Sequence, residues 1–357
     1  MHIDYSAHST WDECPAKWWE RYVAKRVPKW PKGQRDDALC LGSLVHEGLR
    51  LWQERQIVEI PTSVIDEVTP TRECLSLAQE LVYGYTRTYP QELWPLIRCE
   101  EPVVMPLVSP TQMEQNFGEV PLTLLAKIDS YFYVPEPTMI ESGIPGIQWT
   151  LNPGWWIHEY KTKSPFISMP LYMQGWEMNM QASYQVLALS HKLREDGEDL
   201  HGRPVQGTLV NVLEKPRRHI PKRKCRSCTE TYEFYTWVPT GSGEYACPVC
   251  GTRQKLTPLK TDIPTIPPAY YRLIVTRSPR ELEAARRQIL QVGQRMIAME
   301  QNGLDSEPWN TKSCVNFQWK RACEYFGVHR NGTDSKEDSN YTDAIDYRGL
   351  VQLEGVI

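Results

Sequence analysis

Apolar and polar positions change their period along the chain, and the changes divide it into parts. Up to about residue 100 the spacing is helical. Asp12 to Val23 carries Trp18, Trp19 and Tyr22, with Trp11 just before it and Ser9 or Thr10 within reach as a cap. A second helix is predicted over Asp37 to Gln53, where Leu41, Leu44, Val45 and Leu49 make one apolar stripe. A third runs from Thr71 to Tyr89, and Pro90 closes it. From about Glu101 the period falls towards two, and Pro102 to Leu107, Leu122 to Val134 and Trp155 to Tyr160 read as strands. Pro135, Pro137, Pro145 and Pro153, with Gly143, Gly146 and Gly154, make the stretch between the last two a loop or hairpin excursion.

A helix near Met178 to Arg194 follows, then strands at Gly207 to Leu213 and Tyr270 to Thr276. Ser278-Pro279-Arg280-Glu281 opens the last helix, with Ser278 as N-cap, Pro279 at the first position and Glu281 closing a capping box. Leu282, Ala285, Ile289, Val292, Met296 and Met299 carry its apolar face, and Gly303 ends it. Asn331 to Asp346 is polar, as a mobile tail would be. No repeat is found. The expectation is an α/β fold with an N-terminal helical region.

Composition adds limits. At 357 residues, 41% hydrophobic and 24% charged, the chain reads as soluble and globular, large enough for two domains or one domain with insertions. No apolar run is long enough to span a membrane, and the start lacks the basic-then-apolar pattern of a secretory signal, so a reducing cytoplasm is expected. A net charge of −4 neither predicts nor excludes a nucleic-acid partner. The ten cysteines say more, because four form two CxxC pairs and thiols in a reducing compartment favour metal over disulfides.

Cys225-x2-Cys228 and Cys247-x2-Cys250 have the spacing of a tetrahedral structural zinc site, with Pro248 and Gly251 suited to a tight knuckle. Tyr232 to Val238 between them reads as a strand, so a zinc ribbon is predicted, inserted between two strands of the sheet. Just before it, Lys215, Arg217, Arg218, Lys222, Arg223, Lys224 and Arg226 form a basic run with no acid. Such a run is a solvated loop by default and a phosphate-binding surface where the neighbouring residues carry phosphate chemistry.

The stretch richest in chemistry is Trp155 to Thr162. On a strand Ile157, Glu159 and Lys161 share one face, so a carboxylate able to hold a hard divalent cation stands beside an ammonium able to orient a water. Asp129, ending another strand-like run, supplies a second carboxylate. An E-x-K alone is an ordinary salt-bridged face. Here it is preceded by Gly42-Ser43-Leu44-Val45-His46 and followed by a helix bearing Gln181, Tyr184 and Gln185.

The order GxxxH, Asp, E-x-K and a Gln/Tyr helix resembles the RecB-like branch of the PD-(D/E)XK nucleases, as does the opening with Ser6, Ser9 and Cys14-Pro15. The resemblance covers about residues 5 to 325 outside 214–262. It implies a restriction-endonuclease-like core, a mixed sheet flanked by helices. The parts are an N-terminal helical part over 1–100, core over 101–213, the inserted ribbon over 214–262, a return of the core over 263–325, and a tail over 326–357. It implies Mg²⁺ or Mn²⁺ on His46, Asp129, Glu159 and the Tyr160 carbonyl, with Lys161 as catalytic lysine and Gln181 as the motif-three glutamine. The family's Q-x-x-x-Y is departed from, since Tyr184 follows Gln181 by three; Tyr184 would contact nucleic acid.

Some members hold an iron–sulfur cluster on one N-terminal cysteine and a C-terminal C-x-x-C-x5-C. Cys14, Cys314 and Cys323 match three positions and Phe317 stands at the fourth, so the set falls short of four thiolates and argues against a cluster. The implied activity is hydrolysis of DNA phosphodiester bonds, as an exonuclease processing ends in recombination, repair or phage replication in a bacterial or phage-infected cell. The expected partners are DNA, as duplex ends or single strands, and a recombination or annealing protein. A catalytically inactive nucleic-acid-binding adaptor is the rival, against which Asp129, Glu159 and Lys161 stand together. A zinc-ribbon transcription factor would leave those residues unexplained.

Overall fold

The structure is a computed structural model and describes residues 1–28, 37–60, 71–90, 94–95, 98–107, 122–198, 200, 202–217, 222–233, 237–240, 244–256, 266–307, 315–316, 321–323, 325 and 341–343. Arg218, Cys314 and Phe317 lie outside these residues, as does most of the polar C-terminal stretch.

The chain opens with β1 (His2–Ile3) and α1 (Tyr5–Glu13). Here the sequence expectation fails. The helix starts earlier, capped by Asp4, whose carboxylate accepts from the Ala7 N–H at 2.6 Å, and Thr10 lies inside it, bonded to the Ser6 carbonyl. It also breaks where continuity was predicted. Pro15 has no N–H to donate and keeps the residue before it extended, so Cys14 stands at φ −165° and a new helix, α2 (Pro15–Trp18), begins at the proline. A π-helical turn, Trp19–Val23, and β2 (Arg26–Pro28) follow.

Two long helices, α3 (Asp37–Arg55) and α4 (Arg72–Thr88), pack on each other through Leu41, Leu44, Val45, Leu49, Leu81 and Tyr85. Thr71 caps α4 by accepting from Cys74 N–H at 3.1 Å. The sheet is then built from β3 (Arg98–Pro106), β4 (Thr123–Val134), β7 (Gly154–Lys163), β8 (Val205–Glu214) and β14 (Ala269–Thr276), with the small hairpin of β5 (Thr138–Glu141) and β6 (Gln148–Leu151) filling the proline-rich excursion. Strand order is β1-β4-β7-β8-β14, with β3 on the other edge of β4. The β7–β8 pair is parallel and the β4–β7 and β8–β14 pairs are antiparallel, so the sheet is mixed.

Between β7 and β8 run α5 (Met169–Glu177) and α6 (Met180–Glu195). On one face of the sheet α6 packs Tyr184, Val186, Ala188 and Leu189 with Ile128 and Ile157, and on the other the α3–α4 pair meets Tyr160 and Leu213. The last helix, α7 (Pro279–Asn302), has the expected capping box on Ser278 and Glu281 and ends at Gly303, which takes φ 91°. It lies tightly on the start of the sheet. A Cβ on Gly293 would come 2.4 Å from Ile3 Cδ1, so a methyl there would have to displace the side-chain tips of Ile3 and Leu122.

Residues between β8 and β14 leave the sheet and return to it at neighbouring points, since Glu214 pairs with Ala269 and Arg217 bridges to Ile266. The excursion contains β9 (Lys222–Lys224) paired with β10 (Thr231–Glu233), and a three-stranded sheet of β11 (Val238–Pro239), β12 (Tyr245–Ala246) and β13 (Arg253–Gln254). The single strand expected over 232–238 is therefore two strands in two sheets, with 234–236 outside the described residues. Within the polar tail, Tyr341–Asp343 pairs antiparallel with β2, so that part is tied to the N-terminal region rather than loose. Among the described residues, no helix is long and apolar enough to cross a membrane.

Candidate active site

The site begins as a gap in the sheet. One edge of β4 is followed by β3 from Thr123 to Tyr131. The other edge is shared. There β1 pairs with Thr123 and Leu124, and β7 pairs with Ser130 to Val134, so among the described residues no strand pairs with 125–129 on that side. Continued register would put Asp129 opposite Glu159. Instead β4 and β7 part at that point, and the Tyr160 N–H donates to Asp129 Oδ2 at 3.0 Å, a side chain taking the place of a ladder carbonyl.

Five further side chains converge on the fork. His46, from the middle of α3, places Nδ1 3.4 Å from Asp129 Oδ2. Glu159 is 1% exposed and its carboxylate is fully engaged. Gln181 Nε2 donates to Oε1 at 2.8 Å, Gln185 Nε2 donates to Oε2, and Lys161 Nζ is ion-paired with Oε1. Gln181 and Gln185 stand one turn apart on α6, the spacing that sends two side chains to one point. Gln185 is thus as much a part of the site as Gln181; its four-residue spacing from Gln181 was the available signal.

Behind these groups Tyr160 acts as a wedge. Its hydroxyl accepts from Gln53, two turns along α3 from His46, and meets His158 Nδ1 at 3.0 Å. Its ring lies edge-on to His46, centroids 6.3 Å apart. The same helix that presents His46 is therefore fixed to β7. Burial together with the Arg272 charge holds His158 neutral, its pKa pushed down to about 3.

The electrostatics favour a cation. Burial, reinforced by the charge of Asp129, pushes Glu159 above the usual carboxylate range despite Lys161. Burial would push Asp129 up as well, yet His46, Lys161 and the Tyr160 N–H together hold it below its ordinary value. His46 and Lys161 would each be depressed by burial, and the two carboxylates raise both instead. A buried carboxylate and a half-buried one, with an imidazole adjoining, form a set of hard oxygen and borderline nitrogen donors whose mutual repulsion a divalent cation relieves.

Tyr184 does not fit the role expected of it. It is 1% exposed, and its hydroxyl meets His8 Nδ1 at 2.7 Å, so it braces α1 against α6 rather than facing nucleic acid. The departure from Q-x-x-x-Y is what turns it inward: three residues after Gln181 it points to the core, while the fourth, Gln185, points to Glu159.

The four module cysteines come together. Among the described residues they are the set of three or more Cys, His, Asp or Glu ligand atoms lying within 4.8 Å of one another. Cys225 Sγ is 3.5 Å from Cys250 Sγ, and Cys228 Sγ is 3.8 Å from Cys247 Sγ. A tetrahedral Zn–S distance of about 2.3 Å requires sulfurs about 3.8 Å apart, so the set fits zinc. Thr252 hydrogen bonds pull Cys250 down to about 6, whereas burial pushes Cys225 up to about 11, a difference that a shared cation would erase. His46, Asp129 and Glu159 are not drawn together to that degree. Cys14 is buried and Cys323 lies half-buried against Tyr325.

Of the basic run, Arg217, Lys224 and Arg226 are exposed and Arg223 is half-buried. Arg226 is committed to structure, donating to the Arg253 carbonyl at 2.8 Å. Lys215 is placed by its N–H, which donates to the Lys163 carbonyl at 2.9 Å and sets the start of the run beside the end of β7.

The family model of the PD-(D/E)XK nuclease superfamily matches residues 2–326. No curated protein matches the chain.

Proposed function

The chain belongs to the PD-(D/E)XK nuclease superfamily, and from that premise we propose that it is a Mg²⁺- or Mn²⁺-dependent deoxyribonuclease of the RecB-like branch, an exonuclease that processes DNA ends in recombination, repair or phage replication. Membership itself points to a metal-dependent nuclease acting on nucleic acid. The observation that carries the reading is Glu159, a buried strand carboxylate held by two glutamines and a lysine at the fork that also receives Asp129 and His46.

His46, Asp129, Glu159 and the Tyr160 carbonyl would hold the metal. When bound, such a cation polarises the scissile phosphate and lowers the pKa of the attacking water. The protein's own groups do the rest. Gln181 and Gln185 fix the orientation of Glu159, so the carboxylate need not reorganise when substrate arrives. Lys161 keeps its charge, because two carboxylates raise its pKa, and it orients the water and stabilises negative charge developing on the phosphate. The Cys225, Cys228, Cys247 and Cys250 module is a zinc ribbon whose metal is structural.

Labelled linear DNA, incubated with and without Mn²⁺, tests the reading. Release of mononucleotides or short products from the ends, only with metal, is expected. No cleavage in either condition would return the chain to a binding role.

A further inference from the structure

We infer that Phe166 is a stacking platform for an unpaired base at the mouth of the cleavage site. The inference rests on the nuclease reading and adds a strand preference to it. Phe166 follows the catalytic Lys161 by five residues and is 77% exposed, on a segment that also leaves Leu171 and Met178 exposed. An exposed aromatic ring of this size, with apolar neighbours, marks a contact surface rather than core.

Its surroundings identify what the surface meets. The ends of β7 and β8 are tied together, since Lys163 Nζ reaches Glu214 Oε2 at 2.5 Å and the Lys215 N–H donates to the Lys163 carbonyl. The tie brings the start of the basic run alongside Ser164 to Phe166, and the Arg217 guanidinium lies 5.4 Å from the Phe166 ring centroid. On the site side, Lys161 Nζ lies 5.9 Å from the Trp176 ring centroid of α5, the helix that follows Phe166. A ring beside the Arg217 guanidinium, five residues beyond Lys161, suits a single strand. Its bases present apolar faces to the ring and its phosphates meet Arg217 and Lys215. A duplex hides its base faces in its own stack and gains nothing from the ring. An apolar protein surface would leave the cations without counter-charges.

The test is anisotropy titration of labelled single-stranded and duplex oligonucleotides of one sequence, with Ca²⁺ in place of Mg²⁺. Phe166→Ala should weaken single-strand binding roughly 5- to 150-fold, the range for one stacked base, and leave duplex binding within about twofold. Phe166→Trp should restore it. A single abasic position moved along the strand should cost the wild type affinity at one place and cost Phe166→Ala nothing there. Equal loss on both substrates, no loss on either, or no single-strand binding by the wild type would overturn the platform. Cleavage by the wild type with Mn²⁺, run in the same series on both DNAs, judges the nuclease reading separately. Cleavage with unchanged Phe166→Ala binding removes the platform alone, and absence of cleavage removes the nuclease reading whatever the titration gives.

Discussion

The cysteine module and the fork in the sheet both gather groups able to ligate a metal, and they do so by opposite means. In the module each pair of cysteines is separated by two residues on one tight turn, and among the described residues the surrounding core is small: Trp237 and Leu256 with Cys225 and Cys247, and Tyr245 packed against them. The geometry is local, and on the zinc reading the fold would depend on the metal. At the fork, His46, Asp129 and Glu159 come from separate elements, α3, β4 and β7, and each is aimed by packing and hydrogen bonds of the surrounding fold. A structural site lets the ion make the fold, whereas a catalytic site has the fold wait for the ion.

The largest effects should separate the two regions. Asp129→Ala and Glu159→Ala should each abolish cleavage because each removes a metal ligand, while the sheet still unfolds cooperatively, with a loss of stability confined to the hydrogen bonds each carboxylate accepts. Cys225→Ser with Cys247→Ser should do the reverse, losing bound zinc and melting the module, which cannot fold on its small core, while the fork is left intact. Metal analysis, thermal unfolding and a cleavage assay on all three variants give the comparison. Zinc retained in the double mutant, or cleavage retained in Glu159→Ala, breaks it.

Lys161→Ala should come next, lowering cleavage by ~10² or more with metal binding nearly unchanged, the scale of removing one preorganised charge. Calorimetric Mn²⁺ titration beside single-turnover cleavage reads both quantities. Gln185→Ala should follow with roughly a 10-fold loss, since a hydrogen bond to a charged group contributes about 1.5–3 kcal/mol and Gln181 still holds the other oxygen. Tyr184→Phe, one residue away and facing the core, should leave turnover unchanged and cost stability through the lost bond to His8. A Tyr184→Phe enzyme that cleaves more slowly at unchanged stability would reverse the roles of the two neighbours.

These differences also explain what the sequence could reveal. The last helix was legible at both ends because Ser278, Pro279, Glu281 and Gly303 act within one turn of the ends they define. The cysteine spacing and the E-x-K were legible for the same reason, and strand alternation alone puts Glu159 and Lys161 on one face. The long helix expected from Asp12 was not there, because apolar periodicity carried across Pro15, where backbone sterics override it. The fork itself was invisible. It exists because β1 and β7 share one edge of β4 and stop short of each other, and no local signal in either strand reports where its neighbour ends. Tyr184 and Gln185 were on the page as a helical pair, but which of them faces Glu159 depends on how α6 is rotated against the sheet.

The smallest expected effect concerns the surface joining the two regions. Lys215 and Arg217 begin the run at the end of β8, next to the cleavage strand, and Arg223 and Lys224 continue it into the module. If the run is one phosphate track, each contact removed should lower the slope of log K against log salt by ~0.9 on duplex DNA. Between 50 and 200 mM salt that is only about a 3.5-fold change in affinity per contact. Replacing Arg217 and Arg223 by Ala should therefore reduce the slope by ~1.8, equally for any sequence, with no change in turnover at saturating DNA. Arg226→Ala should destabilise the module instead, because that guanidinium is bonded to the Arg253 carbonyl. A slope unchanged in the double variant would leave the run a solvated neck between two independent parts, and the module would then need another reason to stand beside the fork.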